Sequence, residues 1–146
     1  VIVTENLRET TAVSHKPVLL VADENEELCK SLNVALQQAG FDVWLASSAY
    51  EALEIYRYHR EWIDLFLIDL CLSGGQFGIE MLEALQQISP DVRCCFMTDR
   101  PAGRLERELY RSGAVAVFQK PLCIEELSRV LWQLASQRTR QSCRAA

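Results

Sequence analysis

Four short apolar runs end in residues whose types suit phosphate or cation chemistry. Asp23 and Glu24 follow Val18-Leu-Leu-Val-Ala22, and Asp69 follows the run from Ile63 to Ile68; Thr98 and Asp99 follow Val92 to Met97, and Lys120-Pro121 comes just after Ala114 to Phe118. Two carboxylates brought together repel each other unless a cation lies between them. A hard divalent ion such as Mg²⁺ takes one or two carboxylates, a main-chain carbonyl and several waters. A phosphoryl group added to Asp69 would be neutralised by that ion and by Lys120, while the Thr98 hydroxyl donates a hydrogen bond to it. Those are the parts that phosphoryl transfer requires. Each residue alone has an ordinary explanation, since an acid after a strand commonly caps the next helix and a Thr or Lys there meets water. For Glu24 and Asp99 that explanation weighs as much as the chemical one; the set taken together carries the inference.

The rest of the chain predicts how these residues are brought to one edge. Apolar runs alternate with helical patterns five times. Strands are expected at Pro17 to Ala22, Phe41 to Ala46, Ile63 to Ile68, Val92 to Met97 and Ala114 to Phe118. Helices are expected over Glu26 to Ala39, from about Ser48 through Tyr56, over Ile79 to Ile88, from Pro101 to Gly113, and from Ile124 to about Gln137. Apolar strands that do not alternate cleanly with polar residues belong to parallel sheets covered by helices on both faces. The expected architecture is an α/β domain, a five-stranded, doubly wound parallel sheet of the flavodoxin-like type in three α/β/α layers, whose ligands bind beyond the carboxyl ends of the strands.

Composition sets the outer limits. The chain has 146 residues, 15 Lys+Arg against 20 Asp+Glu for a net charge of −5, and 49 % hydrophobic residues. That is enough for one soluble domain with its own core, and it excludes collagen-like and wholly disordered chains. No run approaches the roughly 18 apolar residues needed to span a bilayer. Val1 to Thr11 is mixed polar and does not resemble a signal peptide, so a cytoplasmic location is expected. Residues 1–16 read as an N-terminal extension, 17–137 as the domain, and 138–146 as a short basic tail carrying Arg138, Arg140 and Arg144. Such a tail reads as a solvated end rather than a nucleic-acid contact. Of the six cysteines, Cys94 and Cys95 are adjacent on a strand and must point to opposite faces. Cys29, Cys71 and Cys123 sit singly beside Leu or Ile, and there is no C-x-x-C, so free thiols are expected.

With its motifs in this order, the chain resembles the receiver (CheY-like) domain of bacterial two-component response regulators over Lys16 to Gln137. The matching segments are Val18-Leu-Leu-Val-Ala-Asp-Glu24, Leu67-Ile-Asp-Leu70, Thr98, Gly113-Ala114 and Lys120-Pro121. The resemblance implies that Asp69 is the phosphoacceptor and that Asp23, Asp69 and the backbone carbonyl of Cys71 bind Mg²⁺, with Glu24 as a further candidate ligand. It makes Thr98 the switch hydroxyl, Lys120 the phosphoryl-binding cation, Val117 the occupant of the switch position on the last strand, and Gly113 and Pro121 structural. It implies a phosphoryl donor that is a sensor histidine kinase or a phosphotransfer protein, and a docking or homodimer surface built from the fourth helix, fifth strand and fifth helix. Four features depart from the family pattern, one of them a loop to Gly78 that is one residue longer than usual. Ala22 replaces the first of two acids, Ser73 replaces a proline, and Val117, with Phe118 beside it on the other face, replaces an aromatic residue. A degenerate receiver that binds partners without phosphorylation is the alternative. A phosphatase fits less well, because Asp69-Leu70-Cys71 lacks a second acid two residues on, and no feature supports a flavin module. The chain is not expected to be an enzyme beyond slow hydrolysis of its own aspartyl phosphate.

Overall fold

The computed structural model describes residues 15–72 and 77–144. The first fourteen residues, with the reading of Val1 to Thr11, and Ser73 lie outside that range, as do the side chains of the basic tail. Five strands alternate with five helices: β1 (Val18–Ala22), α1 (Glu26–Gln38), β2 (Asp42–Ala46), α2 (Ala49–His59), β3 (Leu65–Asp69), α3 (Phe77–Ile88), β4 (Cys94–Thr98), α4 (Arg104–Ser112), β5 (Ala116–Gln119) and α5 (Ile124–Arg144). All strand pairs are parallel, in the order β2-β1-β3-β4-β5. The chain leaves β1 to one side for β2 and returns on the other for β3. The carboxyl ends of β1 and β3 therefore flank the topological switch point, where this class of sheet opens a crevice.

Alternation along the strands divides the core in two. Val18, Leu20, Phe66, Ile68, Cys94 and Phe96 face one layer and pack with Ala52 and Tyr56 of α2, Leu82 and Leu85 of α3, and Leu109 of α4. Leu19, Val21, Leu65, Leu67, Cys95 and Met97 face the other and meet Leu32 and Leu36 of α1 and Leu127 and Leu131 of α5. Cys94 and Cys95 thus lie on opposite faces, as period-two geometry requires. Burying both faces explains why these strands read as nearly continuous apolar runs.

Boundaries differ from the sequence reading where a polar residue has a local task. Strand β3 begins at Leu65, and Asp64 before it is tied to the entry of β1 twice: its N–H donates to the Val18 carbonyl at 3.0 Å and its carboxylate accepts the Val18 N–H at 2.9 Å. Phe41 precedes β2 and is fully buried, its ring edge-on to Trp132 of α5 at 5.2 Å. Helix α4 starts at Arg104 and not at Pro101, since Gly103 sits at the N-cap without a side-chain cap. Its C-cap, Gly113, has φ of +110°, a left-handed conformation that favours glycine, and the N–H groups of Gly113 and Ala114 close the helix on Tyr110 and Leu109 carbonyls. Helix α5 continues past Gln137 to Arg144. Caps on α1 and α2 follow the expected chemistry. Asn25 accepts from Glu27 and Leu28 N–H groups, both at 3.1 Å, and Ser48 accepts from Glu51 N–H at 3.1 Å.

Candidate phosphoacceptor site

Register alone brings the acids together. Ala22 of β1 pairs with Ile68 of β3, so the next residues, Asp23 and Asp69, emerge side by side at the carboxyl edge. Thr98 pairs with Gln119 of β5, which delivers Lys120 to the same edge, and the Lys120 N–H donates to the Thr98 carbonyl at 2.7 Å. The Lys120 ammonium then reaches Asp23 Oδ2 at 3.0 Å and Asp69 Oδ2 at 3.4 Å. Three strands and the loops after them thus converge on one cation and two carboxylates.

Asp23 is buried, with 3 % of its surface exposed, and its backbone and carboxylate atoms are engaged in hydrogen bonds. Its N–H donates to the Ala46 carbonyl at 3.2 Å, Oδ1 accepts the Asn25 N–H at 2.8 Å, and its carbonyl accepts the Cys29 thiol at 3.4 Å. Asn25 therefore both caps α1 and fixes the Asp23 carboxylate. That second role carries no signal beyond an Asx residue ahead of a helix, and sequence reasoning missed it. Asp69 is less enclosed, with Oδ1 accepting the Cys71 N–H at 3.1 Å. Burial pushes its carboxyl above the usual range; the Cys71 hydrogen bond opposes this, the Asp23 charge adds to it, and Lys120 offsets only part. For Lys120, burial acts to lower the ammonium pKa, but the Asp23 hydrogen bond and both carboxylate charges outweigh it, so the pKa is raised and the side chain stays charged.

Thr98 is 3 % exposed, and its Oγ1 accepts the Arg100 N–H at 3.0 Å, which leaves the hydroxyl proton for another acceptor. Cys71 is exposed, with its thiol 4.0 Å from Asp99 Oδ1. Burial, then the charges of Asp69 and Asp99, push that thiol up, so it stays protonated. Glu24 is exposed. Among the described residues no three His, Cys, Asp or Glu side chains gather into a metal-holding group. The donor set is thus two carboxylates with main-chain oxygen and solvent, hard ligands of the kind Mg²⁺ accepts while keeping several waters. Burial first and the Asp23 charge after it raise Asp69, and a divalent ion held by the two carboxylates would neutralise that charge. Val117 is half-buried on the α2 to α4 face of the sheet and Phe118 packs on the other. Its N–H is bonded at 3.0 Å to the Tyr110 hydroxyl of α4, a contact the sequence did not indicate. Pro121 follows Lys120 through a cis peptide bond.

Comparison with known proteins addresses the chain's family and fold. A family model described as the response regulator receiver domain matches residues 19–131. The chain is 28 % identical over 109 residues to sporulation initiation phosphotransferase F of Bacillus subtilis, covering 75 % of this chain and 86 % of that protein. It is 30 % identical over 113 residues to the transcriptional regulatory protein ZraR of Klebsiella oxytoca, covering 77 % of this chain but only 25 % of that protein. Among solved structures, the non-phosphorylated HemR receiver domain of Leptospira biflexa superposes with a TM-score of 0.74 at 26 % identity, covering 83 % of this chain and 95 % of that one.

Proposed function

The chain belongs to the response regulator receiver domain family, and on that premise we propose that Asp69 accepts a phosphoryl group from a sensor histidine kinase or a phosphotransfer protein. In the reaction, an Asp69 carboxylate oxygen forms a bond to phosphorus as the donor's phosphorus–nitrogen bond breaks. The electron pair stays on the imidazole nitrogen, which takes up a proton. The product is a mixed anhydride on Asp69. The observation that carries this reading is the Lys120 ammonium, held by the β4–β5 register within 3.4 Å of Asp69 and within 3.0 Å of Asp23.

The residues divide the work by chemistry. Lys120 neutralises the oxygens of the transferred group, and Thr98 donates its hydroxyl proton to one of them. Asp23, Asp69 and the carbonyl of Cys71 would hold Mg²⁺. When bound, that ion supplies charge neutralisation on the phosphoryl oxygens. Asn25 and the Ala46 carbonyl keep Asp23 in place. Receiver domains are signalling modules, and the turnover assigned to this one is slow hydrolysis of its own acyl phosphate. Its output surface is α4, β5 and α5, through which it docks on a partner or a second copy. No nucleic-acid or membrane role is assigned; no helix among the described residues is long and apolar enough to cross a bilayer.

Intact-protein mass after incubation with phosphoramidate, a small phosphorus–nitrogen donor, tests this reading. Wild type gains one phosphoryl group in the presence of Mg²⁺, Asp69→Asn gains none, and omitting Mg²⁺ lowers the rate at least tenfold. Wild type that gains nothing at high donor and Mg²⁺ contradicts the proposal and favours a degenerate receiver that binds partners unmodified.

A further inference from the structure

Helix α4 is lightly attached to the sheet. Among its residues only Leu109 is buried, with Leu105 half-buried against the same core. A cavity of about 10 Å³, lined among others by Thr98, Leu105, Glu106 and Val117, separates the start of the helix from the ends of β4 and β5. The Glu106 Oε2 atom is buried without a hydrogen-bond partner among the described residues. An unpaired buried carboxylate oxygen disfavours this seating of the helix, and a displacement that wets it is correspondingly favoured. Against that stands one directional bond, the Tyr110 hydroxyl on the Val117 N–H.

The position of that bond on the strand is informative. The Val117 N–H points to the Tyr110 hydroxyl of α4 at 3.0 Å. Strand β5 is the last of the sheet, so no strand lies beyond it on its outer side. The side chain of Val117 is apolar and makes no hydrogen bond, so a displacement of β5 reaches α4 with direction through this backbone donor.

We propose that Tyr110 is the positioning residue that ties α4 to the phosphorylation state of Asp69. The inference rests on the functional reading above and adds the route by which that site is read out. A phosphoryl group on Asp69 draws the Lys120 ammonium and the Thr98 hydroxyl toward it. These two residues are joined by the 2.7 Å bond between Lys120 N–H and the Thr98 carbonyl. The end of β5 moves with them, the Val117 N–H shifts against the Tyr110 hydroxyl, and α4 is released from or re-seated on the sheet.

The test uses the whole chain, wild type and Tyr110→Phe, treated with phosphoramidate and Mg²⁺, with phosphoryl uptake read by intact mass and amide hydrogen exchange read at Val117 and across Arg104–Ser112. Before treatment the Val117 amide of Tyr110→Phe exchanges roughly fivefold faster than in wild type, the loss expected for one hydrogen bond. Donor is supplied until both proteins carry one phosphoryl group by intact mass, so the α4 responses are compared at equal uptake. On phosphorylation, exchange across α4 changes in wild type and stays put in Tyr110→Phe. An identical α4 response in both proteins overturns the inference, as does no α4 response in phosphorylated wild type. Absence of uptake in wild type overturns the functional reading itself, and this inference falls with it.

Discussion

Asp69 combines two properties that oppose each other in an isolated carboxylate: partial enclosure, and a negative charge beside another negative charge. Burial and Asp23 raise its pKa in the folded chain, so the folded state binds that proton more tightly than the unfolded chain does. The resulting contribution to stability is full below the unfolded pKa of about 4 and is lost as pH rises through the higher folded value. Asp69→Asn removes this loss and leaves Lys120 its bond to buried Asp23. Its thermal midpoint should exceed that of wild type at pH 7, with the difference shrinking as the pH approaches 4; a variant no more stable at pH 7 contradicts the electrostatic account. Asp23, Asp69, Thr98 and Lys120 were legible in the sequence because each follows an apolar run that could only be a strand. Asn25, Asp64 and Tyr110 were not. Each acts through a backbone N–H, its own in Asn25 and a partner's for Asp64 and Tyr110, which leaves no pattern in the side-chain sequence, and the last two reach a distant segment or another element.

Local backbone packing fixes the acceptor loop from the side of α3. Gly78, the second residue of that helix, packs against Leu70, the residue after Asp69, and a Cβ there would clash with Leu70 Cδ2. Leu70 is buried in the core, so it has little room to yield. Gly78→Ala should therefore destabilise the fold by roughly 1–3 kcal/mol in urea unfolding, and should slow phosphoryl uptake by displacing the loop. A variant as stable as wild type would show that α3 and the loop are not in the contact described. At this scale the number, type and order of elements were readable, because parallel strands buried on both faces differ so plainly from helices with one apolar stripe. The ends were not. A proline suggested that α4 begins at Pro101, but Gly103 follows it and starts the helix only at Arg104. The last helix runs on to Arg144, past the apolar pattern that ends near Gln137.

The whole molecule explains why four residues scattered over nearly a hundred positions act as one site. The strand order reverses between β1 and β3, and that reversal opens the crevice in which Asp23 and Asp69 stand, while β4 and β5 add Thr98 and Lys120 from one side. The receiver family match over residues 19–131 covers this entire arrangement. The chain spans about a quarter of the length of relatives such as ZraR. The departures at Ala22 and Val117 fall beside the proposed cation ligands and on the proposed readout strand, and Asp69 and Lys120 are both present. The most direct test of the central claim is chemical trapping of the acyl phosphate. After treatment with phosphoramidate and Mg²⁺, borohydride reduces an aspartyl phosphate to homoserine, which peptide mass mapping locates. Homoserine at position 69 alone is the predicted result; homoserine at another acid, or none in protein exposed to ample donor and Mg²⁺, would contradict the account.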